Sequence, residues 1–278
     1  MPIQDIPENI ETRVRRAEDC TLSTVRRVAA MLDLNQNMFL EGQPLPRGWQ
    51  FILLGADTPR LSLRSDGFPG LGVPLPDLGL PRLMLGGRKV RYLNDITIGE
   101  TLMRESYVEK ISSKETAAGP MAIVTIAHTM TSEIAGEVLS ESQTYLMLSA
   151  QTGERKVSDG PGLPDIADLT ETIPDDLLLF QYSALGFNSH RIHWDREFAR
   201  NTEGFPDLVV NGGLATLLLT EHLRHRHGSG FTNLSAKHTS PLFASRPLHM
   251  AASERDGGWL LQAFDTEGRP AVEIETTT

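Results

Sequence analysis

The chain has 278 residues, 40% of them hydrophobic and 22% charged, the make-up of an ordinary globular protein able to bury a sizeable core. A formal net charge of -10 with no block of Lys or Arg argues against a nucleic-acid-binding surface. The single cysteine, Cys20, excludes an intramolecular disulfide and a cysteine-based metal cluster. Residues 1–20 are too acidic and polar for a signal or transit peptide, and no apolar run is long enough to span a bilayer, so a cytoplasmic protein without membrane or nucleic-acid partners is expected.

In chain order, residues 21–34 carry Leu22, Val25, Val28, Ala29 and Leu32 at helical spacing, with Thr21 or Ser23 as the N-cap. A short apolar run follows at 49–54. Residues 66–87 are dense in Gly and Pro, which predicts a long ordered loop that is neither helix nor central strand. Such a loop adds little to a core and is expected to close over a ligand as a lid. From Arg88 the pattern turns to β, with strands predicted around 89–92, 100–109, 121–130 and 136–148. Residues 151–176 are polar and rich in Gly and Pro, and read as a linker. The layout then recurs: a helix over 212–226, a strand, a polar turn, a second strand from 233 on, and a hairpin over 259–276 that resembles residues 123–148. This predicts two copies of one α+β unit, each a helix lying against an antiparallel sheet, with domains at 1–150 and 177–278.

The segment Tyr182-Ser-Ala-Leu-Gly-Phe-Asn-Ser-His-Arg-Ile-His-Trp-Asp195 carries the chemistry. Asn188, His190, Arg191, His193 and Asp195 crowd an amide, two imidazoles, a guanidinium and a carboxylate into a mostly apolar setting, where such groups need a common partner. His193 is the candidate general base, because an imidazole titrates at about 6.5 and small shifts poise it near neutrality. Asp195 by itself is better read as a helix N-cap. Asn211-Gly212-Gly213 opens the second long helix, and unpaired N–H groups there can stabilise a developing oxyanion; the plainer reading is that the glycines allow close packing. His222, His225 and His227 suit a helix C-terminus better than a metal site, since no carboxylate or cysteine completes a set. Residues 67–72 have the wrong spacing for a nucleotide loop, and there is no Gly-x-Ser-x-Gly elbow.

The 182–195 segment is similar to the active-site segment of the MaoC-like hot-dog dehydratases. The similarity is greatest to their double-hot-dog branch of fungal 3-hydroxyacyl-thioester dehydratases and bacterial mesaconyl-CoA and itaconyl-CoA hydratases. Residues 80–88, Leu-Pro-Arg-Leu-Met-Leu-Gly-Gly-Arg, resemble the N-terminal domain of that branch. The resemblance implies an α+β fold of two tandem hot-dog units, with a first unit that serves as lid and acyl/CoA-binding wall and a catalytic second unit. It places His193 on the catalytic histidine, Asn188 on the catalytic aspartate, and Gly212 on the glycine whose N–H holds the thioester carbonyl. Asn188 departs from the pattern, because an amide can position water but not take its proton. Tyr182, His190 and Gly213 join as substrate-binding residues, and Arg191 is expected to read a second substrate carboxylate. The implied activity is hydration of a short branched dicarboxylic acyl-CoA, itaconyl- or mesaconyl-CoA giving citramalyl-CoA, with no cofactor. The rival activities are a fatty-acid 3-hydroxyacyl-thioester dehydratase and an acyl-CoA-binding protein without turnover. Oligomeric state, a homodimer included, stays open.

Overall fold

Ten strands pair into one antiparallel sheet in a computed structural model that describes residues 12–116, 118–150, 160–228 and 230–278. The first half supplies β1 (Val14–Asp19), β2 (Arg82–Tyr92), β3 (Thr101–Thr116), β4 (Gly119–Ser132) and β5 (Gly136–Leu148), with helix α1 (Leu22–Met31) after β1. The second half supplies β6 (Thr170–Thr172), α2 (Asp176–Leu185), α3 (Arg196–Asn201), α4 (Gly212–His227), β7 (Asn233–His238), β8 (Leu248–Arg255), β9 (Gly258–Phe264) and β10 (Pro270–Thr277). The spatial order β1-β3-β4-β5-β2-β7-β10-β9-β8-β6 is the same five-strand pattern read outward twice from the β2–β7 junction. This is the arrangement expected of two tandem hot-dog units.

The recurrence is exact in the strands and incomplete in the helices. α1 and α2 each follow the first strand of their half, so they are counterparts, whereas the sequence pattern sets residues 21–34 against α4. Where the second half has the sixteen-residue α4, the first has only 3-10 turns, Trp49–Leu53 among them. Pro44, Pro46 and Pro59 interrupt that stretch and remove the N–H groups a continuous helix needs. The turn docks on α4 instead: Trp49 Nε1 donates to Glu221 at 2.7 Å, and buried Trp49, Phe51 and Leu53 join one core with Leu214, Leu217 and Leu223. A single hydrophobic core therefore crosses the boundary between the halves.

Residues 82–87 correct the loop expectation, because they begin β2, a central strand. Proline 81 ends just before it, and a bulge between Leu85 and Gly87 absorbs the glycine pair. At Gly87 the partner strand comes so close that a Cβ would lie 2.6 Å from the Ala236 carbonyl oxygen, which explains a glycine inside a paired strand. The preceding loop is also no loose lid. Phe68, Leu71, Leu78 and Leu80 are buried in a second cluster with Leu83, Val124, Ile126 and Met147. Pro and Gly here shape an irregular backbone that still buries leucines. Within the stretch read as linker, residues 151–159 lie outside the described residues, and Thr170–Thr172 pairs with β8 as an edge strand. No helix among the described residues is long and apolar enough to cross a membrane.

Candidate active site

The end of α2 sets up the site. Gly186 caps the helix and Phe187 takes the left-handed conformation (φ 49°), so the Asn188 N–H folds back to the Ser183 carbonyl at 2.7 Å. This is a Schellman-type ending with a bulky residue where glycine is usual, at a local cost of roughly 1–2 kcal/mol. The reversal delivers Asn188, whose Oδ1 accepts the His190 N–H at 3.1 Å and closes a second tight turn. A single 3-10 turn, Arg191–His193, follows, and Asp195 starts α3 by accepting the Phe198 N–H at 3.0 Å.

His193 is buried, and its Nδ1 donates to the Val209 carbonyl at 2.7 Å. Val209 in turn donates its N–H to Ile192 at 2.9 Å, so the two segments clamp each other and lock the ring. With Nδ1 carrying the proton, Nε2 holds the lone pair. Burial, with His190 beside it, pushes the imidazole down to about 3, so it is neutral at working pH. Burial also lowers His190 to about 4, against the opposing pull of Asp66.

At the start of α4 the Asn211 side chain makes no cap bond and no acidic residue occupies the first turn. Asn211 Nδ2 is turned to the Ser183 hydroxyl at 3.1 Å. The first N–H groups of a sixteen-residue helix, with the positive end of its dipole, are thus left for a ligand. A cavity of about 280 Å³ is lined by His193, Asn188, His190, Tyr182, Gly212 and Gly213 together. Phe68, Leu85, Arg88 and Tyr145 close it from the first half. The arrangement pairs a neutral imidazole base with an oxyanion-binding helix end, the equipment for proton transfer beside an activated carbonyl.

Six of the seven expected site residues meet there. Arg191 does not: its Nε and Nη2 donate to Asp195 at 3.0 and 2.7 Å, and the guanidinium stacks over Phe198 at 4.2 Å. With Asp195 fully used as cap and ion-pair partner, neither residue is among those lining the cavity. Five polar cavity residues escaped the sequence reading: Arg88, Tyr145, His238, Thr239 and Ser240. The first three sit on strands, where alternation shows that a residue faces one side but not that a cavity lies there. The first half also braces the 188–195 segment directly. Arg191 N–H donates to the Asp66 carbonyl at 2.9 Å, Ser189 Oγ to Gly67 at 2.6 Å, and the Asp66 carboxylate lies 3.6 Å from His190 Nε2.

Gly213 gives a direct test. A Cβ there would overlap the Tyr182 hydroxyl and come within 3.5 Å of Arg88 Nη2, while Tyr182 is held by stacking on Phe51 at 4.4 Å. In an open helix, Gly→Ala gains about 1 kcal/mol. Gly213→Ala is expected to lose that gain and to lower kcat/KM at least about ten-fold by displacing the cavity wall. A thermal melt and an activity assay check this; a raised Tm with full activity would show that the wall yields freely.

Among the described residues, no group of three His, Cys, Asp or Glu is disposed to hold a metal ion. His222 and His227 instead both bond Asp168, at 2.9 and 3.3 Å.

Comparison with known proteins fits this geometry. A family model described as hydroxyacyl-thioester dehydratase type 2 matches residues 48–244. Mesaconyl-C(4)-CoA hydratase of Chloroflexus aurantiacus is 32% identical over 258 residues, 92% of this chain and 91% of its own. A MaoC-like dehydratase from Phytophthora capsici superposes with a TM-score of 0.72 at 16% identity, over 100% of this chain and 97% of its own. A Mycobacterium tuberculosis protein with a double hot-dog fold superposes with a TM-score of 0.58 at 12% identity, covering 95% and 94%. The last two establish the fold, a double hot-dog.

Proposed function

Because the chain belongs to the hydroxyacyl-thioester dehydratase type 2 family, we propose that it hydrates an enoyl-CoA reversibly, with a short branched dicarboxylic acyl group of the mesaconyl or itaconyl kind giving citramalyl-CoA. The observation that carries the chemistry is that His193, its Nδ1 committed to Val209, lines the same cavity as the open N-terminus of α4. The dicarboxylic acyl group is supported by the 32% identity, over nearly the whole chain, to a mesaconyl-C(4)-CoA hydratase.

Each group has one task in this reading. The thioester carbonyl accepts the Gly212 N–H, with Gly213 and the helix dipole behind it. Water, oriented by the Asn188 amide, attacks the β carbon while His193 Nε2 takes one of its protons. The new C–O bond forms as the π pair moves to the thioester, and the resulting enolate is held at the helix end. The proton on Nε2 then passes to the α carbon, and the other water proton stays on the product hydroxyl. The imidazolium formed on the way is stabilised through Nδ1–H and the Val209 carbonyl. Run backwards, the same steps dehydrate a 3-hydroxyacyl thioester. The first half contributes the acyl wall through Phe68, Leu85 and Tyr145.

A substrate panel tests the proposal. Purified protein is given crotonyl-, mesaconyl- and itaconyl-CoA, and hydrated products are measured by mass. Turnover of a dicarboxylic acyl-CoA with kcat/KM above that for crotonyl-CoA is expected. Turnover confined to the linear chain would move the assignment to a fatty-acid dehydratase. Binding without turnover of any of them would leave an acyl-CoA-binding protein.

A further inference from the structure

The cavity contains a cation that the hydration steps above do not use. Arg88 stands on β2 opposite Ala236 of β7, at the seam between the halves, and only 8% of it is exposed. A buried guanidinium is costly unless paired and fully hydrogen-bonded. Its carboxylate neighbour, Glu141, is 3.5 Å from Nη1, beyond good hydrogen-bonding distance. The Glu141 oxygens instead accept from Gln50 Nε2 at 3.0 Å and Gln143 Nε2 at 2.8 Å. The hydrogen bonds of Glu141 are thus met by amides, and it serves Arg88 as a counter-charge and not as a hydrogen-bond acceptor.

The other side of the guanidinium lacks a hydrogen-bond partner, and Arg88 borders the cavity. Nε is buried without a hydrogen-bond partner, and Nη2 lies 3.5 Å from where a Gly213 Cβ would stand. Two more buried polar atoms of the same cavity, Asn211 Oδ1 and His238 Nε2, also lack partners. The nearby His190, His193 and His238 are held neutral by burial and cannot balance a charge. A site with a charged, unsatisfied arginine edge beside an oxyanion-binding helix end is built for an acyl group that carries its own negative charge. In a short dicarboxylic acyl thioester the free carboxylate lies only a few bonds from the thioester carbonyl, and Gly213 adjoins the residue assigned to that carbonyl. Carboxylate and guanidinium match as planar, charge-assisted partners.

We infer that Arg88, contributed by the non-catalytic half, reads the free carboxylate of the acyl group and sets the preference for dicarboxylic over monocarboxylic acyl-CoA. This assignment rests on the dicarboxylic reading above and gives Arg88 the part first expected of Arg191.

Binding of unreactive analogues tests it without relying on turnover. Succinyl-CoA and butyryl-CoA have the same acyl length and differ in the terminal carboxylate. By calorimetry, the wild-type protein is expected to bind succinyl-CoA about ten- to a hundred-fold more tightly, the range for a charge-assisted hydrogen bond. Arg88→Met should abolish that preference while still binding butyryl-CoA, and Arg88→Lys should keep only part of it. Should Arg88→Met leave the buried Glu141 carboxylate without its counter-charge so that the protein misfolds, Arg88→Met/Glu141→Gln removes both charges and is read the same way. No preference in the wild type, an unchanged preference in the variants, or equal loss of both ligands would overturn the assignment. A preference that depends on Arg88, without hydration of mesaconyl-CoA, would sink the catalytic reading and leave this one standing. Hydration of mesaconyl-CoA with no dependence on Arg88 would do the opposite.

Discussion

His193→Ala is expected to lower kcat for hydration by about 100- to 10,000-fold, the usual contribution of a general acid–base group. The high end is expected, because position 188 holds an amide that cannot take a proton in place of the imidazole. The substitution also leaves the Val209 carbonyl without its 2.7 Å donor in a buried setting, at a cost of about 1–3 kcal/mol, so the variant melts several degrees lower but still folds. His193→Gln separates the two effects, since its amide can still donate to Val209 but cannot act as a base. Steady-state kinetics on crotonyl-CoA beside thermal melts checks both. A near-normal kcat in either variant means that the base lies elsewhere. Asn188→Asp probes the same chemistry from the other side. A carboxylate can still accept the His190 N–H and keep the turn, so the fold survives. A gain in rate, or a new acidic limb in the pH profile, is expected if a carboxylate at this position can share the proton transfer.

Much of the architecture is legible in residue patterns, and the parts that are not share a physical cause. Strands β3, β4 and β5 announce themselves through alternation and β-branched residues, because one face of each packs on a core. The candidate-site segment stands out because Asn188, His190 and His193 are too polar for their apolar surroundings unless they serve a site. The start of β2 is hidden by Pro81 and the Gly86–Gly87 pair, which read as loop residues until a neighbouring strand demands a bulge and a bare backbone. Glu141, Gln143 and His128 look like the solvent-facing side of ordinary strands, yet all three are buried. What buries them is contributed from far along the chain, as when Gln50 reaches Glu141. Arg88 is obscured in the same way, because a charge on a strand usually means water and here means the cavity. The equation of the first helix with α4 fails for a related reason. Apolar spacing marks a helix but not its place in a sheet, and only the strand order shows that α1 matches α2.

Stability is expected to fall by about 4–5 kcal/mol between pH 7.5 and pH 5.5, a large part of the 5–15 kcal/mol typical of a folded protein. Four histidines with desolvated rings cause most of this, and His222, also lowered by burial, adds to it. Burial pushes His128, His193 and His238 down to about 3 and His190 to about 4, against an ordinary value of 6.5. Below pH 6.5 the unfolded chain takes up protons on all four, while the folded chain takes up none until the pH nears the lowered values. Unfolding is therefore favoured as pH falls from 7.5 to 5.5, by about 1.2 kcal/mol per histidine over the whole interval. Carboxylates titrate lower, at about 4, so the interval above pH 5.5 isolates the histidines. Urea unfolding at several pH values from 5.5 to 7.5 measures the slope. His128 allows the count to be checked outside the candidate site, since its Nδ1 lies 2.8 Å from the Ser106 hydroxyl and it does not line the cavity. His128→Gln should keep a hydrogen bond and reduce the slope by close to a quarter. A flat profile would mean that the folded protein protonates these rings in place. His193 would then be cationic below pH 6.5, a state in which it cannot accept the proton of water.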